Sequence, residues 1–318
     1  MTDTIHTGNS TAGILDRVTV DLAGLTVVVD DERVTAGSIP ELRNTLSGLL
    51  YRRMHCGSAA GRSPVHVRNP RLERALRARL VDRPHGVRIP EREAVHAPEG
   101  DLVVQLDGVR VRFDPSRWRQ ADDDTVEVRI SRLRPMFSPG FFVIGTGEVP
   151  GPIRRIYVRA EAPADALEVF ASLVELLDAH GAYRAKMLTV ESQYPRNDAI
   201  VVYLPHPSDE LLQRIVDVVE GTGLVPDRTT PFAERIGRGV STADDPPPAV
   251  GGSPRSFGEH RADAFARALV EAHREGFDVA AHLADVLRSS GIDPDRPSRN
   301  LAPQGLPSAP ITRGEVTN

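Results

Sequence analysis

The sequence predicts an α+β fold, with helices flanking a mixed or antiparallel sheet. Three observations predict it. Stretches of alternating hydrophobicity recur along the chain. Strongly amphipathic helical segments fall between them, in a strand–helix–strand–strand–helix order over residues 153–220. The 318 residues, 40% apolar and 26% charged, are enough for a sizeable core.

The elements follow in order. Val18, Val20 and Leu22, then residues 25–29, alternate like a strand pair. From Ser38 the pattern turns helical: Ser38 caps, Pro40 sits in the first turn, and Leu42, Leu46, Leu49 and Leu50 share one face. This helix runs through residues 51–56, YRRMHC, and stops near Gly57. A second, arginine-rich helix is expected over 70–80. Residues 101–113 read as a hairpin turning at Asp107-Gly108, and Val126, Val128 and Ile130 as a further strand. Residues 141–144 and 153–159 add strands. Leu167, Phe170, Val174 and Leu177 line one face of a helix over 164–179, which Gly181 ends.

Residues 183–190 then form a strand with Lys186 at its centre, and 198–204 a strongly apolar one. Ser208 caps a helix with an apolar face of Leu211, Leu212, Ile215, Val218 and Val219. Residues 241–255, rich in proline, glycine, serine and aspartate, read as a loop. Ser256-Phe257-Gly258-Glu259 is a capping-box pattern opening a long helix to about Glu275. A short helix over 279–288 precedes a tail expected to be disordered beyond Ser289. The division expected is an N-terminal strand and helix region, 1–86, a core over 87–275, and a short helix with a tail over 276–318.

Composition narrows the function. Net charge −5 and a pI near 6.1 argue against a nucleic-acid binder driven by a basic surface. The longest apolar runs are far too short to span a bilayer, and residues 1–13 lack a signal pattern, so a soluble cytoplasmic protein away from membranes is expected. A single cysteine, Cys56, excludes an internal disulfide framework and any multi-cysteine metal site. Gly145-Thr146-Gly147 is too short a motif to indicate a nucleotide, and no histidine spacing indicates a metal.

One count points to chemistry. Of 39 basic residues, 38 are arginine and one, Lys186, is lysine. Arginine serves wherever only charge and a long stem are needed, but it cannot lose its proton. A bias toward arginine would leave lysine where the amine must act as a base or nucleophile, although a chance survivor fits the count too. Lys186 shares a strand face with Arg184 and Leu188. The turn 194–198 brings Tyr194, Arg196 and Asp198 to one sheet end, as part of a site or as a plain turn in which Asp198 pairs Arg196. At 256–262 a helix start with His260 and Arg261 suits an anion, unless Glu259 itself satisfies that terminus.

These stretches carry a resemblance. FSPGFFVIGTGE, then RRIYVRAEAPADALEVFASLVELLDAHGAYRAKMLTVESQYPRNDAIVVYLP, TPFAERIGRGVSTADDP and SFGEHRADAFARALVEA resemble, in that order, the core of the HopA-type effector family. The sequence is similar as well to lyase subunits that accompany small kinases in the biosynthesis of class V lanthipeptides and thioamide-containing peptides. The resemblance covers about residues 87–273 and implies a HopA effector-like fold and phospho-β-elimination. A partner kinase phosphorylates serine or threonine in a precursor peptide, and the lyase removes phosphate to leave dehydroalanine or dehydrobutyrine, with no cofactor and no metal.

In that scheme Lys186 is the base and His260 the acid, with His55 as the alternative. Arg196, Arg261 and Arg238 bind phosphate, Asp198 orients Arg196 or Lys186, and Tyr194 hydrogen-bonds the substrate carbonyl. The alternative function is a non-catalytic, effector-like adaptor or peptide-binding partner of a kinase.

Overall fold

The computed structural model describes residues 11–58, 69–106, 109–145, 149, 151–247 and 255–301. The expected turn at Asp107-Gly108, residues 146–147 of the short glycine motif and most of the N-terminal stretch lie outside the described residues.

A short helix α1 (Thr11–Leu15) leads into an antiparallel three-stranded sheet, β1 (Val18–Asp21), β2 (Thr26–Val29) and β3 (Glu32–Thr35). The helix α2 (Ile39–Leu50) begins at Ser38, whose side chain accepts from the Glu41 N–H, with Pro40 in the first turn. Its continuation over Tyr51–Cys56 widens into a π-type turn, and Gly57 ends it at φ +65°. Helix α3 (Pro70–Arg79) follows an Asn69 cap.

Next comes a β module. Its strands are β4 (His85–Pro90), β5 (Ala94–His96), β6 (Leu102–Leu106), β7 (Val109–Phe113), β8 (Trp118–Asp122) and β9 (Thr125–Ile130). They form two three-stranded sheets, β4–β9–β8 and β5–β6–β7, around a small core of Leu102, Val104, Phe113, Val126 and Val128.

The rest is built on one seven-stranded antiparallel sheet. Its strands are β10 (Leu133–Ser138), β11 (Phe141–Gly145), β12 (Ile153–Ala160), β13 (Arg184–Leu188), β14 (Arg196–Pro205), β15 (Glu234–Gly237) and β16 (Val240–Asp244), in the order β10–β11–β13–β14–β12–β16–β15. The helices are α4 (Pro163–Leu177), α5 (Asp209–Gly221), α6 (Phe257–Glu275) and α7 (Val279–Ser289). Alternation splits the strands between two cores. Ile156, Val158, Ile200 and Val202 pack with α3, α4 and α5 on one face, and Tyr157, Val201 and Ala243 pack with α2 and α6 on the other. Each fully buried leucine or valine in these layers contributes about 1.5–3 kcal/mol.

Two expectations change. Residues 241–244, read as the start of a loop, belong to strand β16, inside the sheet between β12 and β15. Ser241 and Thr242 are buried there, and the Thr242 hydroxyl donates to the Arg155 carbonyl, so small polar side chains stand where an apolar pattern would have been legible. The chain also stays folded past Ser289: residues 290–301 return to α6, closed by an Ile292–Asn300 bridge.

Candidate functional site

The site is created by a break in β14. Ala199 and Ile200 are consecutive, yet both pack into the α4 and α5 core, while Val201 lies in the other. Pairing with β12 slips here, from Val158–Ile200 to Ala160–Arg196, leaving extra residues on β14. Such irregularities re-aim side chains. Asp198 thereby meets the π-type turn after α2, on the sheet face that carries Lys186.

Arg196 and Asp198 form a two-pronged ion pair, Nε to Oδ1 at 2.5 Å and Nη2 to Oδ2 at 3.2 Å. Arg196 also donates to Gln193 Oε1 (2.7 Å) and to the Tyr51 hydroxyl (3.2 Å). Burial alone would raise the Asp198 carboxyl, but Arg196 and His55 together hold it well below the usual carboxylate range.

His55 belongs to the same cluster although it is distant in sequence. Its Nε2 is 3.5 Å from Asp198 Oδ2 and its Nδ1 is 3.4 Å from the Thr230 hydroxyl. The ring is buried among Tyr157, Phe257 and Tyr51, with centroids 5.2, 5.7 and 5.6 Å away. Two glycines make this packing possible. A Cβ on Gly258 would enter the His55 ring, and one on Gly57 would collide with Asn197. Asn197 in turn accepts from Arg159 (2.6 Å) and donates to the His55 carbonyl (3.2 Å), tying the π-type turn to β14.

Lys186 lies on β13, opposite Val143 of β11 and Val201 of β14. It is half-buried between two rings, with Nζ 4.3 Å from the Phe141 centroid and 6.0 Å from that of Tyr203. The Arg196 guanidinium sits against the same Phe141 ring at 5.8 Å, and that of Arg155, paired with Asp245, against Tyr203 at 5.0 Å. Lys186 is therefore part of a slot of aromatic rings and guanidiniums. Phe141, Tyr203, Arg155 and Asn197 lie within the stretches that carry the family resemblance, but none was expected in the site; strand alternation from Lys186 and Val201 could have found Tyr203.

The other expected residues are placed elsewhere. Tyr194 packs against the opposite core, and its hydroxyl donates to the Leu188 carbonyl at 2.6 Å. Arg261 is fully buried. Its guanidinium donates to the carbonyls of Pro297 and Arg299 and to Asn300 Oδ1, and its Nη1 lies 2.7 Å from His260 Nδ1. Burial brings Arg261 down to about 10, and burial with the adjacent Arg261 charge brings His260 down to about 4, so His260 is neutral at physiological pH. Glu259 closes the capping box with Ser256, which leaves that helix start satisfied internally. Arg238 is exposed in the β15–β16 turn, more than three strand spacings from β13, or about 15 Å.

Beside Arg196 opens a cavity of about 770 Å³ lined by α2 and the π-type turn, with Asn44, Thr45, Tyr51, Gln193 and Arg196 on its walls; Lys186 is not on its lining. Among the described residues, no cluster of three or more histidine, cysteine or acidic side chains is grouped to hold a metal ion. No helix among them is long and apolar enough to cross a membrane.

Residues 132–299, from just before β10 to the segment that binds Arg261, match the model of the HopA1 effector protein family. That is more than half of the chain. The chain belongs to this family. Among solved structures, an effector protein from Pseudomonas syringae pv. tomato strain DC3000 is 14% identical, with 85% of this chain and 92% of that one covered and a TM-score of 0.48. An effector from Pseudomonas syringae pv. syringae strain 61 is 16% identical, covering 83% and 91%, with a TM-score of 0.46. No curated protein matches the sequence. The HopA1 match takes in the whole seven-stranded sheet and α4 to α7, hence Lys186, Arg196 and Asp198; α2 and the π-type turn, with His55 and Tyr51, lie outside it.

Proposed function

We propose that this protein is a phosphoserine and phosphothreonine lyase acting on a peptide. It eliminates phosphate to leave dehydroalanine or dehydrobutyrine, in the biosynthesis of a lanthipeptide-like product. One observation carries the reading: the only lysine of an arginine-rich chain stands between Phe141 and Tyr203, on a sheet face shared with the Arg196 and Arg155 guanidiniums. Elimination needs a base beside cations, and that is the one place where arginine cannot replace lysine.

In the proposed reaction Lys186 takes the Cα proton of the phosphorylated residue. The Cα–H electron pair becomes the second Cα–Cβ bond, and the Cβ–O bond breaks with its pair leaving on phosphate. Arg196, held in place by Asp198, Gln193 and Tyr51, faces the departing anion. This differs from the sequence-based scheme at the acid. His260 is neutral with its Nδ1 against Arg261, and His55 is buried under Gly258. The leaving phosphate is neutralised by guanidinium charge and no histidine is assigned as acid. Arg261 and Arg238 are assigned no phosphate, because the first is caged by the 297–300 segment and the second lies at the far sheet edge. A kinase acting earlier on the same peptide would supply the substrate, which makes a kinase the natural partner.

The test is incubation of the protein with phosphoserine and phosphothreonine peptides, scored by mass loss of phosphoric acid and by trapping of the alkene with a thiol. Product from phosphorylated but not from unphosphorylated peptide is expected. A second reading, a non-catalytic adaptor that binds a peptide for a kinase, is favoured by the large cavity that Lys186 does not line. Peptide binding without any mass loss would select it.

A further inference from the structure

On β13 a second cation shares the face of Lys186. Arg184, two residues earlier, is half-buried opposite Gly145, which has no side chain to cover it. The neighbouring Arg132, Arg155 and Arg196 each hold a carboxylate, whereas Arg184 makes no ion pair among the described residues. Its guanidinium stacks instead on Phe137, 5.6 Å from the ring centroid, and the Arg134 guanidinium lies 5.5 Å from the same centroid. Phe137 is 47% exposed on β10, the edge strand of the sheet. A large apolar ring thus stands in solvent at the sheet edge beside the Lys186 face, with two guanidiniums against it.

We infer that Phe137, Arg184 and Arg134 form a subsite for an anionic side chain of the peptide, two residues away from the phosphorylated one. The identity of that neighbouring residue rests on the lyase reading above. The spacing follows from strand geometry. Residues i and i+2 of a strand are about 7 Å apart on one face, which is the repeat of an extended peptide laid along it. With the phosphorylated residue at Lys186, the side chain two positions along falls at the level of Arg184. A planar guanidinium supported by a ring recognises a carboxylate in a two-pronged manner, and a phosphoryl group likewise. The substrate class is therefore an acidic or multiply phosphorylated peptide.

The test measures affinity for phosphoserine peptides with alanine, glutamate or a second phosphoserine two positions before or after the target, in a Lys186→Met background so that the peptide persists. Glutamate or phosphoserine at one of these positions is expected to bind roughly 5-fold tighter than alanine, a partly exposed ion pair's worth. Arg184→Gln is expected to bring that ratio to about 1, and Arg184→Lys to keep part of it. A gain from phosphoserine alone supports the subsite and fixes the anion as phosphoryl. Equal affinity for all peptides, or a ratio untouched by Arg184→Gln, overturns it. Phosphate release by the unaltered protein is scored separately. A ratio without release retains the subsite and removes the lyase reading, and release without a ratio does the reverse.

Discussion

His55 occupies the volume in which a side chain at Gly258 would begin, so the first turn of α6 and the π-type turn after α2 touch through a glycine and an imidazole. The SFG motif is thereby explained in part by packing. Phe257 lies beside the same ring at 5.7 Å, and Ser256 caps the helix through Glu259.

Gly258→Ala tests that fit. In an exposed helix the change would stabilise by up to about 1 kcal/mol. Here the added methyl must displace a buried ring, and overpacking of this kind typically costs about 1–3 kcal/mol. A net loss is expected, read as a lower urea midpoint at an unchanged slope. A midpoint equal to or above that of the unaltered protein would show the ring to be mobile.

Lys186→Arg keeps charge and length and removes the capacity to act as a base. Phosphate elimination is expected to fall by about 10²–10⁴, with thermal unfolding and phosphopeptide affinity close to those of the unaltered protein. Full activity in this variant would sink the proposed base.

Asp198→Asn leaves the Arg196 guanidinium buried without its counter-ion. Loss of one partner of such a pair costs about 3–5 kcal/mol. Because the Asp198 carboxyl is held well below its ordinary range, the pair's stabilisation is present throughout pH above about 4. It is lost only as pH falls below that value and the folded carboxylate takes up its proton. Denaturant titrations at pH 7 check the variant, and a loss under about 1 kcal/mol would contradict the assignment.

His260 titrates in the opposite chemical sense with the same consequence. Its folded-state value, about 4, lies below the ordinary histidine value of 6.5. Between these values the unfolded chain binds a proton that the folded chain refuses, so stability declines as pH falls from 6.5 toward 4. His260→Gln is expected to flatten that decline, comparing melting temperatures at pH 7 and pH 5. Parallel profiles for the two proteins would show that His260 is protonated in the fold.

Much of this was legible in the sequence, because local patterns carry it. Lys186 in a strand centre, the Ser256–Glu259 capping box, the Ser38 cap and the Arg196–Asp198 pairing all depend on residues within a few positions of one another. What was not legible depends on contacts between distant segments. His55 and Asp198 come together only because β14 breaks its alternation at Ala199 and Ile200. Strand β16 is hidden because two of its four buried positions are serine and threonine, and Tyr194 looked available because its bond to the Leu188 carbonyl is a property of the folded turn.

The segment 297–300 looks like a linker in composition, yet it supplies three of the oxygen atoms that solvate a fully enclosed guanidinium at Arg261. Anyone trimming the chain to a minimal domain must cut after Leu301. A truncation before Pro297 would strand a permanent charge in the α6 interior, and the shortened protein would fail through its core while every residue of the proposed active site remained in the sequence.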